Sequence, residues 1–162
     1  EGVRGVDGPR LQPPSCSVKH IEVHCRDHYV LTAYSRAPTL GWVRDGPCCV
    51  LPLSSSDDAL GEAIVETIRH SGKTRDPNGA ADWAEVLRPL LAAAKVKSWN
   101  QFVKGNRAIG VFLDREYRLV PTENREPRAG FGDLDDRSIL LPADASTAGI
   151  GAAAKEAFKR SK

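Results

Sequence analysis

His20–Ala33 reads HIEVHCRDHYVLTA, and Ala108–Pro121 reads AIGVFLDREYRLVP. Apolar Ile21, Val23 and Cys25 alternate with polar His20, Glu22 and His24 in the first stretch, and Ile109, Val111 and Leu113 repeat the apolar set in the second. A period of two is the signature of a strand with one face buried. Each run breaks at a short polar corner, Arg26-Asp27-His28 or Asp114-Arg115-Glu116, and resumes with Tyr29, Leu31 and Ala33 or with Tyr117, Leu119 and Pro121. Two alternating runs across a short polar break predict a hairpin.

The likeness of the two stretches continues outward. Gly41-Trp42 returns as Gly130-Phe131, while Leu51-Pro52, Ser56, Gly61, Ala63, Glu66 and Ser71 return as Leu141-Pro142, Ser146, Gly151, Ala153, Glu156 and Ser161. The spacing slips by one residue twice, as single-residue loop insertions would cause. In each copy a loop with prolines and glycines follows the hairpin, then a short strand ending in Leu-Pro, CCVLP or SILLP. A helix comes next, with Ser56 or Ser146 as the N-cap whose oxygen accepts the free amide hydrogens of the first turn. Leu60, Ala63, Ile64, Thr67 and Ile68 form its buried stripe in copy one, and Ile150, Ala153, Ala154, Ala157 and Phe158 in copy two. Gly61 and Gly151 lie inside these helices at a cost of ~1 kcal/mol each relative to alanine, which predicts close packing of the helix on the sheet.

Between the copies, Trp83, Val86, Leu87, Leu90, Leu91 and Ala94 have helical spacing behind a capping box at Asp82 and Glu85. Pro89 predicts a kink or break. Ser98 with Gln101 opens a short turn that buries Trp99 and Phe102. The fold class is therefore α+β: a tandem pseudo-twofold repeat of a three-stranded antiparallel unit plus helix, with a linking helix between copies and helices on one sheet face. Copy one spans 17–73, the linking segment 74–105 and copy two 106–162, all in one domain. Residues 1–16, rich in glycine, proline and charge, read as a flexible tail.

Length and composition fit that picture. The chain has 162 residues, 41% of them hydrophobic, with a net charge of +2. That is enough apolar material for a core and too much for a disordered chain. No run approaches the ~18 apolar residues of a membrane span. A pI of about 8.4 falls short of the strongly basic balance of a nucleic-acid-binding domain. The four cysteines, Cys16, Cys25, Cys48 and Cys49, do not suggest a disulfide framework and read as reduced thiols of a cytosolic protein. No methionine occurs, even at position 1, so the chain is expected to be trimmed or processed at its start.

Sites of chemistry are hard to assemble from these residues. On one strand His20 and His24 alone lie ~13 Å apart, too far for one ion, and the corner moves His28 away. They read as solvent-facing strand histidines. Cys25 belongs to the apolar face, and Ser54–Ser56 lack a nucleophile elbow. No phosphate-cradling glycine motif is present. No metal, cofactor or catalytic residue is expected. Asp133, Asp135 and Asp136 cluster beside the repeated glycine–aromatic loop and read first as a solvated loop, next as a docking surface for a basic partner, and last as a pair for acid–base work.

The run from Ser98 to Phe158 resembles the immunity proteins of bacterial contact-dependent growth inhibition (CDI) systems. Trp99 and Phe102 with Lys104-Gly105, Pro121-Thr122, Gly130-Phe131, Leu141-Pro142 and the helix start Ser146–Gly151 carry the likeness. It covers residues 83–162 well and copy one more weakly. The resemblance implies a cytosolic, non-enzymatic protein that binds the C-terminal toxin domain of a CDI exoprotein, often a nuclease, and blocks its active site or substrate surface. No direct nucleic-acid or membrane partner is implied. On that reading the docking residues are Trp42, Arg44, Asp45, Asp133, Asp135 and Asp136. The alternatives are a small hydrolase using the histidine, cysteine or aspartate residues, and a nucleic-acid-binding module.

Overall fold

The computed structural model describes residues 18–38, 41–75, 80–125 and 130–162, with the backbone alone for 80 and 81. The expected tail and Cys16 lie outside the described residues. Strands β1 (Lys19–Cys25), β2 (His28–Ala37) and β3 (Gly41–Pro52) lead into helix α1 (Asp57–Arg69). Helices α2 (Ala80–Ala93) and α3 (Trp99–Val103) follow, then β4 (Arg107–Leu113) and β5 (Glu116–Asn124). Strand β6 (Phe131–Asp133), a 3-10 turn at Asp135–Arg137, β7 (Ile139–Pro142) and α4 (Thr147–Arg160) complete the chain.

The strands form a seven-stranded antiparallel sheet in the order β3-β2-β1-β4-β5-β6, with β7 also paired to β5. At its centre β1 meets β4, with Ile21 opposite Val111, Glu22 opposite Gly110 and Val23 opposite Ile109. This register puts the apolar positions of both hairpins on one inner face. Ile21, Val23, Leu31, Ile109, Val111 and Leu119 are wholly buried there, under Leu60 and Ile64 of α1 and Ile150 and Ala154 of α4.

The two covering helices cross at their glycines. A Cβ on Gly61 would lie 1.7 Å from the Thr147 carbonyl oxygen, and one on Gly151 would lie 1.7 Å from that of Asp57. The ~1 kcal/mol that glycine costs in each helix is thus the condition for backbone-to-backbone approach. Ser56 Oγ accepts from the Ala59 amide and Ser146 Oγ from the Gly149 amide, as N-caps do. At the other helix ends, Ser71 Oγ accepts from His20 N at 2.8 Å and donates to Tyr34 O at 2.7 Å. Ser161 Oγ accepts from Thr122 N at 3.4 Å and lies 3.2 Å from Ala108 O, to which it donates. Each serine ties its helix to two adjacent strands.

Four expectations need correction. Helices cover both faces of the sheet, because α2 and α3 bring Leu90, Ala94, Phe102 and Val103 onto Val30 of the outer face. The second unit has its third strand split into β6 and β7 by the 3-10 turn, whereas β3 runs unbroken through the expected loop. It does so by a bulge: Thr32 faces Cys48 and Tyr34 faces Arg44, leaving Asp45, Gly46 and Pro47 against Ala33. Gly46 has φ +101°, a conformation few other residues adopt cheaply. Helix α2 begins before Asp82, which lies in its first turn and is no cap, and it continues through Pro89. Trp83, assigned to the buried stripe, is 42% exposed.

Candidate functional site

The outer face carries the polar half of the β1 alternation. His20, Glu22 and His24 all point there, and the expected solvent exposure is not found: His20 is 8% exposed and His24 1%. The cause lies in neighbouring strands and in the linking segment. Opposite β1, the outer positions of β4 are Ala108, Gly110 and Phe112, which are apolar or absent as side chains and cannot hydrate the face. The His20 ring stacks on Phe112 with centroids 4.0 Å apart and on Tyr34 at 4.5 Å, with Trp42 at its edge 5.3 Å away. His24 lies under Phe102 and Phe131, at 4.8 and 5.3 Å.

Glu22 is the hub. Its carboxylate receives Arg44 Nη2 at 3.0 Å, and His24 Nε2 lies 3.0 Å away without hydrogen-bond alignment. Only about a sixth of either side chain in the Glu22–Arg44 pair reaches solvent, at 16% and 17% exposure. Burial alone would raise the Glu22 pKa, but Arg44 foremost, then His24 and His20, hold it below the usual carboxylate range. Burial lowers His20 to about 4, outweighing the pull of Glu22. Burial likewise lowers His24, and it drives the Tyr34 hydroxyl well above its ordinary value. At neutral pH the cluster is therefore one carboxylate, one guanidinium and two neutral imidazoles.

Around the hub, guanidinium groups lie on aromatic rings: Arg36 on Trp42 at 4.4 Å, Arg44 on Trp99 at 5.1 Å and Arg118 on Phe112 at 4.7 Å. Such contacts fix long side chains on a partly open surface. Arg118 also binds Asp135 at 2.9 Å. Asp133 is exposed and stands on the same face, opposite Thr122. Its carboxyl is raised above the ordinary range by partial burial, then by Asp135 and Glu22, against the pull of Arg118.

The structure brings Trp42, Arg44, Asp133 and Asp135 to this one face from opposite halves of the sheet. It does not bring Asp45 there. Within the bulge, Asp45 accepts from Ser35 Oγ at 2.8 Å and pairs with Arg75 at 3.0 Å. Asp136 lies exposed on the 3-10 turn beyond the cluster. Sequence reasoning missed Glu22, Tyr34, Phe112 and Arg118. The available signal was a polar alternation in β1 set against a β4 face of Ala, Gly and Phe, a mismatch that a freely solvated face would not show.

A family model described as CDI immunity protein (CdiI) matches residues 18–161. The chain belongs to the CDI immunity protein family. The fold of this CDI immunity protein is similar to that of a protein of unknown function from Neisseria meningitidis, with a TM-score of 0.73 and 15% identity over 94% of this chain and 100% of that one. It is also similar to a chain in a CdiA-CT/CdiI toxin and immunity complex from Yersinia pseudotuberculosis, with a TM-score of 0.70 and 18% identity over 90% and 98% of the two chains. No curated protein sequence matches it.

The cysteines that suggested a hydrolase are divided between the two faces of the sheet in this CDI immunity protein. Cys25 and Cys49 pack against the inner core, on the side of the sheet away from His20 and His24. Cys48 packs against the outer cluster under α2. Burial raises the pKa of all three thiols, which disfavours the nucleophilic thiolate. Among the described residues, no three His, Cys, Asp or Glu side chains are grouped to hold a metal ion, and no helix is long and apolar enough to cross a membrane.

Proposed function

We propose that this immunity protein binds the C-terminal toxin domain of a CDI exoprotein in the cytosol and neutralises it by covering its active site or substrate surface. The toxin on this reading is a nuclease, and the immunity protein acts by occupancy without turnover. The observation that carries the reading is the family match across residues 18–161. The contact surface is the outer sheet face, with Trp42, Arg44, Asp133 and Asp135 at its centre, Asp136 at its rim, and Asp45 bracing the bulge behind Arg44. A net charge of +2 gives little long-range attraction to a basic toxin, so local steering falls to Asp133, Asp135 and Asp136.

The binding unit is residues 17–162, with 1–16 as a tail, built as two related copies about a pseudo-twofold axis. The reciprocal glycine contacts of α1 and α4 and the paired serine bridges support that duplication. Co-expression with the toxin domain encoded just upstream tests the function. The expected result is a stable complex on co-purification and rescue of growth from that toxin. Failure to bind and to rescue would overturn the proposal. Salt-sensitive binding to unrelated oligonucleotides would point to a nucleic-acid module instead.

A further inference from the structure

Corresponding positions on the outer face carry opposite charges and have unequal company. Arg44 stands opposite Tyr34, and Asp133 stands opposite Thr122. Tyr34 pairs with His20, and Thr122 Oγ1 donates to the Ala108 carbonyl, so the two positions occupy equivalent rows on either side of the β1–β4 seam. Two residues along β1 from His20 is Glu22, which neutralises Arg44 at 3.0 Å. Two residues along β4 from Ala108 is Gly110, which has no side chain. The place of a counter-charge for Asp133 is therefore empty of charge, and the Phe112 ring leans into it, 3.1 Å from where a Cβ would stand.

Two of the other three nominated acids are already paired within the chain, and the third, Asp136, lies exposed on the 3-10 turn beyond the cluster. Asp135 is held by Arg118 and Asp45 by Arg75, while Asp133 makes no ion pair among the described residues. Its nearest charged company is largely of its own sign, Asp135 and Glu22. Phe131, two residues back on the same face of β6, is half-buried and tilts against His24 and Trp99. Among the described residues no guanidinium lies over its ring, in contrast to Trp42, Trp99 and Phe112. A second unfilled polar position lies on this face: buried His20 has no hydrogen-bond partner for Nδ1.

We propose that Asp133 is the seat of a basic side chain carried by the toxin domain, a lysine or arginine that lies beside Phe131 and supplies the charge this half of the sheet lacks. The inference rests on the outer face being the toxin-binding surface and narrows it to one carboxylate. A charge-assisted contact of this kind is among the stronger hydrogen bonds and is specific in direction.

The test is titration calorimetry of the upstream-encoded toxin domain against the wild-type chain and against Asp133→Asn, Asp135→Asn and Asp136→Asn. Asp133→Asn should weaken binding about ten- to a hundredfold, and the other two by less than about threefold. The gap between wild type and Asp133→Asn should narrow as salt rises, because only the charged contact is screened. Denaturation midpoints of all four chains should agree, since the altered groups are exposed. Tight binding by the wild type together with equal binding by Asp133→Asn overturns this inference and leaves the toxin-binding reading standing. Absence of binding by the wild type overturns both.

Discussion

The two hairpin-and-helix halves agree where they face the core and part company where they face outward. On the inner face, Ile21 and Val23 answer Ile109 and Val111, Gly61 answers Gly151, and Ser71 answers Ser161, each making the same kind of contact. On the outer face, Glu22 meets Gly110, His20 has Ala108 in its place, and the long bulged β3 corresponds to a split β6 and β7. Packing constraints explain the agreement: a buried methylene or a helix crossing is costly to change, whereas an exposed outer position such as Asp133 changes cheaply. The difference marks the outer face as the part of the molecule free to be fitted to something else.

The glycine crossing should show the largest effect. Gly61→Ala and Gly151→Ala each put a methyl group into a carbonyl oxygen 1.7 Å away, so α1 and α4 must move apart. Each should cost at least about 3 kcal/mol in urea denaturation, beyond the ~1 kcal/mol that alanine returns by helix propensity. Equal losses sharpen the correspondence of the halves. A loss confined to one would break it.

The histidines come next, because only the first half has them. His20 is lowered to about 4 in the fold by burial, from an ordinary 6.5. Between those values the unfolded chain binds the proton and the folded chain resists it, so stability is full above about pH 6.5 and is lost as pH falls toward 4. The loss should approach but not exceed about 3 kcal/mol. Glu22, whose pKa is depressed, adds a further loss in the same direction at lower pH. Denaturation series at pH 7 and 5 should show this slope; His24, also lowered by burial, adds to it, so His20→Asn should reduce the slope without abolishing it. A slope unchanged in His20→Asn would place the titrating group elsewhere.

The smallest effect belongs to the helix-end serines. Ser71→Ala and Ser161→Ala each take the side-chain acceptor from one buried strand amide and should cost about 1–2 kcal/mol. Hydrogen exchange should then rise at His20 N in the first variant and at Thr122 N in the second, since those are the amides each serine accepts from. Protection unchanged at both amides would remove the serines from the list of matched contacts.

Much of the inner architecture was legible because it rests on local rules. Period-two alternation gave both hairpins and serine caps gave both helix starts, while the repeated glycine gave a close approach that the structure places between the two helices and not between helix and sheet. The outer face was not legible because its character depends on what lies across a strand boundary. Whether His20 and His24 meet water is decided by Gly110, Phe112, Phe102 and Phe131, none of them near in sequence. The same holds for β3: Gly46 and Pro47 read as loop punctuation, yet a bulge absorbs both while pairing continues on either side. Trp42 and Asp133 could be nominated from their loops, but the Arg44–Glu22 pair and the unpaired state of Asp133 are products of register alone.

The bulge at Asp45-Gly46-Pro47 has one more effect. It kinks β3, which forms one margin of the sheet, and the 3-10 turn between β6 and β7 divides the other. Pro47 also removes an amide donor from its margin. Neither border presents an unbroken ladder of donors and acceptors, an arrangement that disfavours pairing with the edge of a second copy.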